Sequence, residues 1–436
     1  MVSPLFERIF GGEPPIRFEF WDGSALGPAT GEARAVVRSP DALKRMLWAP
    51  GELGLARAYV SGDLEVEVEV EAEAGAGKGS AGFLKALREL DTAVQAKVPG
   101  LFETASPLVS AARGLGLVGL PLPPPGVEVR LASRFRPKSL HTRQRDAEAV
   151  RHHYDIGNDF YRLVLGPAMT YSCARFESPG ATLEEAQASK HELICRKLGL
   201  GARAAAVRRR LLDVGCGWGS MAIHAASRHD ADAVGVTLSP AQVALARERV
   251  RDAGLEEHVE IRLQDYRELS GDSFDAVSSV GMFEHVGMRR MGEYFSTLYR
   301  LLKPEGRIVN HAISTPGGSR MKGRTFMNRY VFPDGELLDV GDVVLGMERA
   351  GFEVRDVESL REHYARTLRC WLDNLADRWD EAVELVGSER ARAWRLYMSG
   401  SVNAFEQGRI AVHQVLGVKT LADGTSGMPA TRASWG

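Results

Sequence analysis

The chain has 436 residues, 44% of them hydrophobic and 26% charged, with 55 Lys and Arg against 57 Asp and Glu for a formal net charge of -2. It is long and apolar enough to bury a full core and build two domains, which excludes a disordered or fibrous protein. The charge balance argues against nucleic acid held by bulk positive charge and leaves room only for local basic patches.

The first residues, MVSPLFERIFGGEPP, carry an early acid and no apolar core of signal-peptide length. No window reaches the roughly 18 uninterrupted apolar residues of a membrane span, so a cytoplasmic protein is expected. Cys173, Cys195, Cys216 and Cys370 are scattered, without a CxxC or a Cys/His run. Neither a disulfide framework nor a structural zinc site is expected from that spacing, and no metal is assigned.

Residues 15–70 alternate apolar and polar positions, as in Ile16-Arg17-Phe18-Glu19-Phe20, Ala35-Val36-Val37 and Leu64 to Val70, between Gly, Pro and Asp turns. The pattern predicts short strands in a small β-containing module. Glutamates alternating with Val or Ala from Glu65 to Ala74 then pass into Gly75-Ala76-Gly77-Lys78-Gly79-Ser80, which predicts a flexible acidic loop. From Phe83 to Leu117 apolar residues recur at helical spacing, broken at Pro99-Gly100, and the segment closes on Pro121-Leu122-Pro123-Pro124-Pro125-Gly126. That proline run sets the expected organisation: an α+β domain over 1–121, a linker over 122–128 and a second domain over 129–436.

Arg130, Arg134, Arg136, Lys138, Arg143, Arg145 and Arg151 crowd a stretch whose only acids are Asp146 and Glu148. Such a run reads either as a solvated helix face or as a contact for anionic lipid. From Leu211 the pattern becomes apolar strands alternating with amphipathic helices: Leu211 to Val214, a helix from Ser220, Ala233 to Val236, a helix from Pro240, Val259 to Leu263, and Phe274 to Val280. Later strands are expected over Gly306 to Ala312 and Phe352 to Val357. The alternation predicts a parallel sheet covered on both faces, an α/β doubly wound domain.

Asp213-Val214 runs straight into Gly215-Cys216-Gly217-Trp218-Gly219 and then a helix. Glycines there let backbone approach a nucleotide-type ligand where a Cβ would clash. The place of the third glycine in a dinucleotide G-x-G-x-x-G is taken by Ser220, and the second strand ends in Thr237-Leu238-Ser239-Pro240-Ala241-Gln242 without the acid that holds a dinucleotide ribose. Both departures favour S-adenosylmethionine over NAD, with Thr237 and Gln242 supplying ribose hydrogen bonds. Gln264-Asp265-Tyr266 offers a carboxylate and a ring where the adenine would sit, against the alternative of a surface acid and a packed tyrosine.

Four spaced motifs then occur together: Arg151-His152-His153-Tyr154-Asp155-Ile156-Gly157-Asn158-Asp159-Phe160-Tyr161 leading to Tyr171-Ser172-Cys173; Gly281-Met282-Phe283-Glu284-His285-Val286-Gly287; His311-Ala312-Ile313; and His363-Tyr364-Ala365-Arg366-Thr367-Leu368. From about Arg143 to Trp371 the chain resembles the cyclopropane-fatty-acyl-phospholipid synthase family, which includes the mycolic acid cyclopropane synthases and the enzymes making 10-methylene fatty acids. The resemblance implies a Rossmann-like class I methyltransferase domain. It also implies a bicarbonate cage at Cys173, Glu284, His311, Ile313 (through its backbone) and Tyr364, and a cofactor site using Tyr171, Ser172, Asp213, Gly215, Gly217, Thr237, Gln242, Asp265 and Tyr266. Glu52 to Gly62 (ELGLARAYVSG) looks like the family's longer, phospholipid-acting members, which carry an extra lipid-transfer-like domain that the mycolic acid enzymes lack.

An alkene is a feeble nucleophile, so such a site must present it in line with the sulfonium methyl, exclude water and tolerate a carbocation. The faces of Tyr171, Phe283, Phe326 or Tyr364 could stabilise that charge, although each also reads as ordinary core. Bicarbonate held by Glu284, His311 and Tyr364 would act as general base. The implied product is a cyclopropane fatty acyl chain in a phospholipid at the inner face of the membrane; a 10-methylene branch, later saturated by a separate reductase, is the alternative. The loop Arg320-Met321-Lys322-Gly323-Arg324-Thr325-Phe326, with Arg329 and Tyr330 beyond, mixes charge and apolar residues as a bilayer-contacting segment would. Two rivals remain: a methyltransferase for a small soluble substrate, which leaves Cys173, His311 and Tyr364 unexplained, and a non-catalytic lipid-binding protein, whose pocket motifs would be broken.

Overall fold

A computed structural model describes residues 2, 3, 7, 12–30, 33–49, 51–68, 78–97, 120–128, 156–201, 208–271, 273–318, 325–332 and 335–435. It divides into two compact units. The first is Met1–Ala132 with Lys322–Pro333 and Leu368–Asn403; the second is Ser133–Met321, Asp334–Thr367 and Ala404–Gly436.

In the first unit β1 (Arg17–Phe20), β2 (Ala25–Leu26) and β3 (Ala33–Val37) lead into two helices, α1 (Pro40–Trp48) and α2 (Glu52–Val60), and then β4 (Leu64–Val68) and α3 (Lys78–Lys97). The sheet order is β2-β1-β3-β4, with β1 parallel to β3 and the other neighbours antiparallel. Phe18 and Phe20 pair in register with Ala35 and Val37, and all four are buried, which is the period-2 pattern expected of them. The two helices correct the expectation of strands alone over 15–70. Pro40 stands in the first turn of α1, the Ser39 hydroxyl caps it by accepting from the Asp41 N–H at 3.2 Å, and Leu43 and Met46 fall on one buried face. α3 also starts at Lys78, so Lys78, Gly79 and Ser80 belong to a helix rather than to the expected loop; residues 69–77 lie outside the described residues, as do 98–119 and the whole basic run from Arg130 to Arg151. Pro121 to Pro125 form no regular element, and Glu128 beyond them is a buried acceptor for the Arg57 guanidinium at 2.7 and 2.6 Å and for the Tyr330 hydroxyl at 3.0 Å, all within the first unit.

The second unit runs through α4 (Asn158–Leu165), α5 (Leu183–Leu198), β5 (Arg210–Val214), α6 (Ser220–Arg228), β6 (Asp232–Thr237), α7 (Pro240–Asp252), β7 (Val259–Leu263), β8 (Phe274–Val280), α8 (Met291–Leu301), β9 (Leu302–Ser314), α9 (Val340–Arg349), β10 (Glu353–Ser359), the start of α10 (Arg361–Asp377) and β11 (Ala411–Val418). The seven-stranded sheet has the order β10-β11-β9-β8-β5-β6-β7, parallel from β9 to β7. The doubly wound sheet is as expected, and its central strands are buried on both faces. Sequence reading missed β11, which inserts antiparallel between β9 and β10. Its residues AVHQVLGV interrupt the apolar run with His413 and Gln414 and follow a helix, and no turn signal marks it as the last strand of a sheet begun two hundred residues earlier.

The strand order reverses between β5 and β8, so a crevice opens at their carboxyl ends, the usual ligand position in such sheets. A buried ion cluster ties α5 to the sheet edge: Lys197 Nζ stands 3.1 Å from Asp356 Oδ2 and 2.5 Å from Glu358 Oε2, and Arg432 lies 2.7 Å from Asp356 Oδ1 without hydrogen-bond alignment. Lys197 is 1% exposed and Asp356 4%. Replacing Lys197 by Met removes the only enclosed cation of the cluster and leaves a buried carboxylate, so urea unfolding should report a loss of about 3–5 kcal/mol.

Candidate active site

The Gly215-Cys216-Gly217-Trp218-Gly219 loop leaves β5 and is fixed to its neighbour, with the Gly215 and Cys216 N–H groups donating to the Val236 carbonyl at 2.9 and 3.0 Å. Gly215 has φ 76° and a Cβ there would lie 2.9 Å from the Met282 side chain, so this turn requires glycine. Arg249 of α7 holds the loop from behind through the Trp218 carbonyl at 2.6 Å and the Ser220 hydroxyl at 2.9 Å. Trp218 in turn donates its indole N–H to Asn158 at 2.9 Å and packs its ring 4.8 Å from Tyr161. Asn158 and Tyr161 belong to the first of the four motifs, which therefore braces the glycine loop; Arg151 to Asp155 of that motif lie outside the described residues.

The loop borders a cavity of about 1150 Å³, its open mouth included, lined at the strand ends by Tyr171, Ser172, Asp213, Gly215, Gly217, Thr237, Gln242, Asp265 and Tyr266. All nine residues assigned to the cofactor are thus brought together. Thr237 donates to Gln242 Oε1 at 2.7 Å, and the Asp265 carboxylate accepts from Arg267 at 2.9 and 2.6 Å. The buried Asp213 carboxyl accepts from Ser278 at 2.7 Å, yet loss of water pushes its pKa up to about 6. S-adenosylmethionine fits this set: a Cβ-free loop at the switch point, paired hydroxyl and amide groups after β6, and a carboxylate beside a ring after β7.

Cys173, Glu284, His311, Ile313 and Tyr364 do not line that cavity. Glu284 sits in the turn Phe283–His285 after β8, where its Oε1 accepts from the Ile313 N–H of β9 at 2.8 Å. The residue keeps some surface open, but its Oε2 is enclosed and has no hydrogen-bond partner, and burial pushes the carboxyl up to about 7. His311, two residues before Ile313 on the same strand face, has Nδ1 3.2 Å from Gln414 Nε2, while its buried Nε2 has no partner. Burial and the neighbouring Lys190 hold that imidazole well below its ordinary pKa, hence neutral. Cys173 is fully buried, donates to the Ala174 carbonyl at 3.2 Å and reaches the Leu360 carbonyl at 3.6 Å, and burial raises its thiol far above the ordinary range. The Tyr364 N–H donates to the same Leu360 carbonyl at 3.1 Å, and its ring packs 4.7 Å from Phe405.

The fourth motif also secures the Cys173 segment. Thr367 accepts from the Ala174 N–H at 3.0 Å, His363 Nδ1 accepts from the Phe176 N–H at 3.0 Å, and Arg366 lies 3.9 Å over the Phe176 ring while donating to the Ser178, Pro179 and Ala181 carbonyls. Among the aromatic candidates Phe283 packs against Tyr294 and Phe295 in the core, and Phe326 stacks on Tyr330 in the first unit.

The residue most clearly missed in the sequence is Lys190. It is enclosed on α5, donates to Ser172 Oγ at 3.0 Å and lies 3.1 Å from His191 Nε2; burial pulls its pKa down to about 7, opposed by Cys173 and Asp213. It lines the cofactor cavity and also acts on Cys173 and His311, so one amine joins the two sets of residues. Gln187, one turn earlier, holds the backbone of Thr170 and Ser172 at 3.3 and 2.9 Å. A polar face on an amphipathic helix gave no reason to separate Lys190 from its solvent-facing neighbours.

The fold and the glycine-loop pocket define a class I S-adenosylmethionine-dependent methyltransferase. The mycolic acid cyclopropane synthetase family matches residues 141–415, and the chain belongs to that family. It is 40% identical over 421 residues to a probable fatty acid methyltransferase of Mycobacterium tuberculosis, covering 96% of this chain and 94% of that one. It is 32% identical over 380 residues to the cyclopropane-fatty-acyl-phospholipid synthase of Escherichia coli, covering 87% and 86%. The crystal structure of a mycolic acid cyclopropane synthase complexed with S-adenosylhomocysteine (SAH) and CTAB superposes with a TM-score of 0.57 at 32% identity, covering 62% of this chain and 97% of that one.

Glu284 separates catalysis from stability in a measurable way. A carboxyl with a raised folded-state pKa binds its proton more tightly when folded, so it costs stability above its ordinary value of 4.5, and the full cost is reached above about 7. Glu284→Gln should therefore stabilise the protein by about 3 kcal/mol at pH 8, with the gain fading as pH falls through 7 toward 4.5. The same variant should bind S-adenosylhomocysteine normally, because Glu284 does not line the cofactor cavity, and should lose at least about 100-fold in turnover if the carboxylate takes part in proton removal. Thermal melts across pH, calorimetric titration and a turnover assay check the three parts.

Proposed function

We propose that the protein transfers the methyl carbon of S-adenosylmethionine to the cis double bond of an unsaturated fatty acyl chain in a phospholipid and closes it to a cyclopropane. The observation that carries this reading is the pair of enclosed, unpartnered atoms, Glu284 Oε2 in the turn after β8 and His311 Nε2 on the neighbouring strand β9. Two buried polar atoms left without partners mark a place for a small polar guest. A neutral imidazole and a carboxyl that titrates near neutrality suit a small oxyanion that carries a proton, and bicarbonate is the guest proposed. When bound there, bicarbonate supplies the base that takes a proton from the added methyl group.

The chain's own residues do the rest. Glu284 accepts one hydrogen bond from the Ile313 N–H, which fixes its free oxygen toward the guest, and Gln414 against Nδ1 leaves the His311 Nε2 side for it. Lys190, able to shed its proton near pH 7, tolerates the sulfonium in the adjoining pocket better than a fixed charge would. Methyl attack puts the positive charge on the chain, and loss of a proton from the new methyl as its carbon bonds across gives the ring. If a hydride shifts first, loss of a proton from the same methyl gives a methylene branch, the alternative product, which a separate reductase would saturate.

Similarity to the Escherichia coli synthase over 87% of this chain supports a phospholipid substrate, because the aligned mycolic acid synthase spans only 62% of it. No helix among the described residues is long and apolar enough to cross a membrane. Docking from the cytoplasmic side as a peripheral protein is proposed, through Arg130 to Arg151 and the loop Arg320 to Arg324, both outside the described residues save their flanks. Purified protein given S-adenosylmethionine and dioleoyl phospholipid vesicles should add CH₂ to the oleoyl chains, with high-field ring protons in the NMR spectrum. Vinylidene protons instead would identify the methylene product, and methylation of free or water-soluble acyl substrates but not vesicles would overturn the phospholipid assignment.

A further inference from the structure

α5, α6 and the residue that caps the end of α6 bring together four side chains that do not line the cofactor cavity. The ligand atoms of Cys195, His224 and His229 lie within 4.8 Å of one another. Glu192 Oε2 joins them, 2.8 Å from His229 Nε2 and 3.4 Å from His224 Nε2. Cys195 is fully buried, His224 and His229 are 16% and 11% exposed, and Glu192 is 42% exposed. The group is thus anchored in the core at one end and open to solvent at the other.

From this geometry we propose that Glu192, Cys195, His224 and His229 form a divalent-metal site of the zinc class. One thiolate, two imidazoles and a carboxylate are a complete donor set for a four-coordinate ion. With zinc–sulfur and zinc–nitrogen bonds of about 2.3 and 2.0–2.1 Å, tetrahedral donors stand roughly 3.3–3.7 Å apart, so the side chains need close by only about 1 Å. The thiol proton leaves to solvent as the metal–sulfur bond forms. This revises the expectation, drawn from sequence spacing, that no structural zinc site exists: the ligands come from two helices whose proximity the spacing does not encode.

The site is structural rather than catalytic, since none of the four residues lines the cofactor cavity. Its place gives it a consequence there. Lys190 and His191, on the same helix one turn before Cys195, do line that cavity, and the His191 ring lies 5.5 Å from that of His224. α6, which carries His224, begins directly after the glycine loop. A metal clipping α5 to α6 would hold the two walls of the pocket at a fixed separation. The inference stands on its own and does not depend on the substrate of the methyl transfer.

Cobalt titrated into chelator-treated, full-length protein tests it. One equivalent should give the intense visible bands of four-coordinate cobalt with a thiolate-to-cobalt charge-transfer band, and zinc should bleach both. Cys195→Ser should abolish the charge-transfer band, and His229→Gln, at a partly exposed helix end, should weaken cobalt binding by more than the about 10–100-fold typical of losing an outer-shell partner. Affinity for S-adenosylhomocysteine in the same samples reports whether each variant is folded. A weak six-coordinate spectrum, no spectrum in the wild type, or a charge-transfer band that survives Cys195→Ser would overturn the assignment.

Discussion

The hydrogen bond from the Ile313 N–H to Glu284 Oε1 is the contact on which the site depends. It crosses from the turn after β8 to the strand β9, and it uses one carboxylate oxygen while leaving the other enclosed and unpaired. An unsatisfied buried acceptor costs free energy in the folded protein and becomes useful only when a ligand arrives to share it. The raised pKa of Glu284 expresses that cost, and the depressed pKa of Lys190 expresses its counterpart of opposite charge on α5. Both groups are poised near neutrality by the same absence of water.

The arrangement around them is a set of braces. Arg249, Trp218 and Asn158 fix the glycine loop; Gln187 and Lys190 fix the backbone and hydroxyl at Ser172; His363, Arg366 and Thr367 fix the segment carrying Cys173. Each brace joins separate elements, so the cofactor pocket and the segment carrying Cys173 are held by contacts between different parts of the chain. Lys190 alone among the described residues lines the cofactor cavity while acting electrostatically on both Cys173 and His311.

Much of this was legible in the sequence because parallel strands announce themselves. Leu211 to Val214, Val259 to Leu263 and Phe274 to Val280 are short, strand-length segments rich in Val, Leu, Ile and Phe, and each is a strand at those positions or within one residue of them. The glycine loop was legible for the same reason, since backbone geometry at Gly215 admits no other residue without a clash. The helices α1 and α2 were not, because their amphipathic faces sit inside a stretch of alternating strands and only the Ser39-Pro40 cap marks the change. β11 and Lys190 escaped for a deeper reason. Their roles are set by which elements they meet, and that partner is chosen by the folded sheet rather than by local pattern.

If bicarbonate taken up by the unpartnered Glu284 Oε2 and His311 Nε2 removes the proton, as proposed, turnover must depend on dissolved bicarbonate. The direct measurement is turnover of purified protein in buffers stripped of dissolved carbon dioxide, with bicarbonate then restored. Turnover should fall on depletion and return with added bicarbonate in the wild type, while Glu284→Gln shows no recovery. Turnover that is full in the depleted buffer and unchanged by bicarbonate would contradict it, and would make the side chains themselves the base.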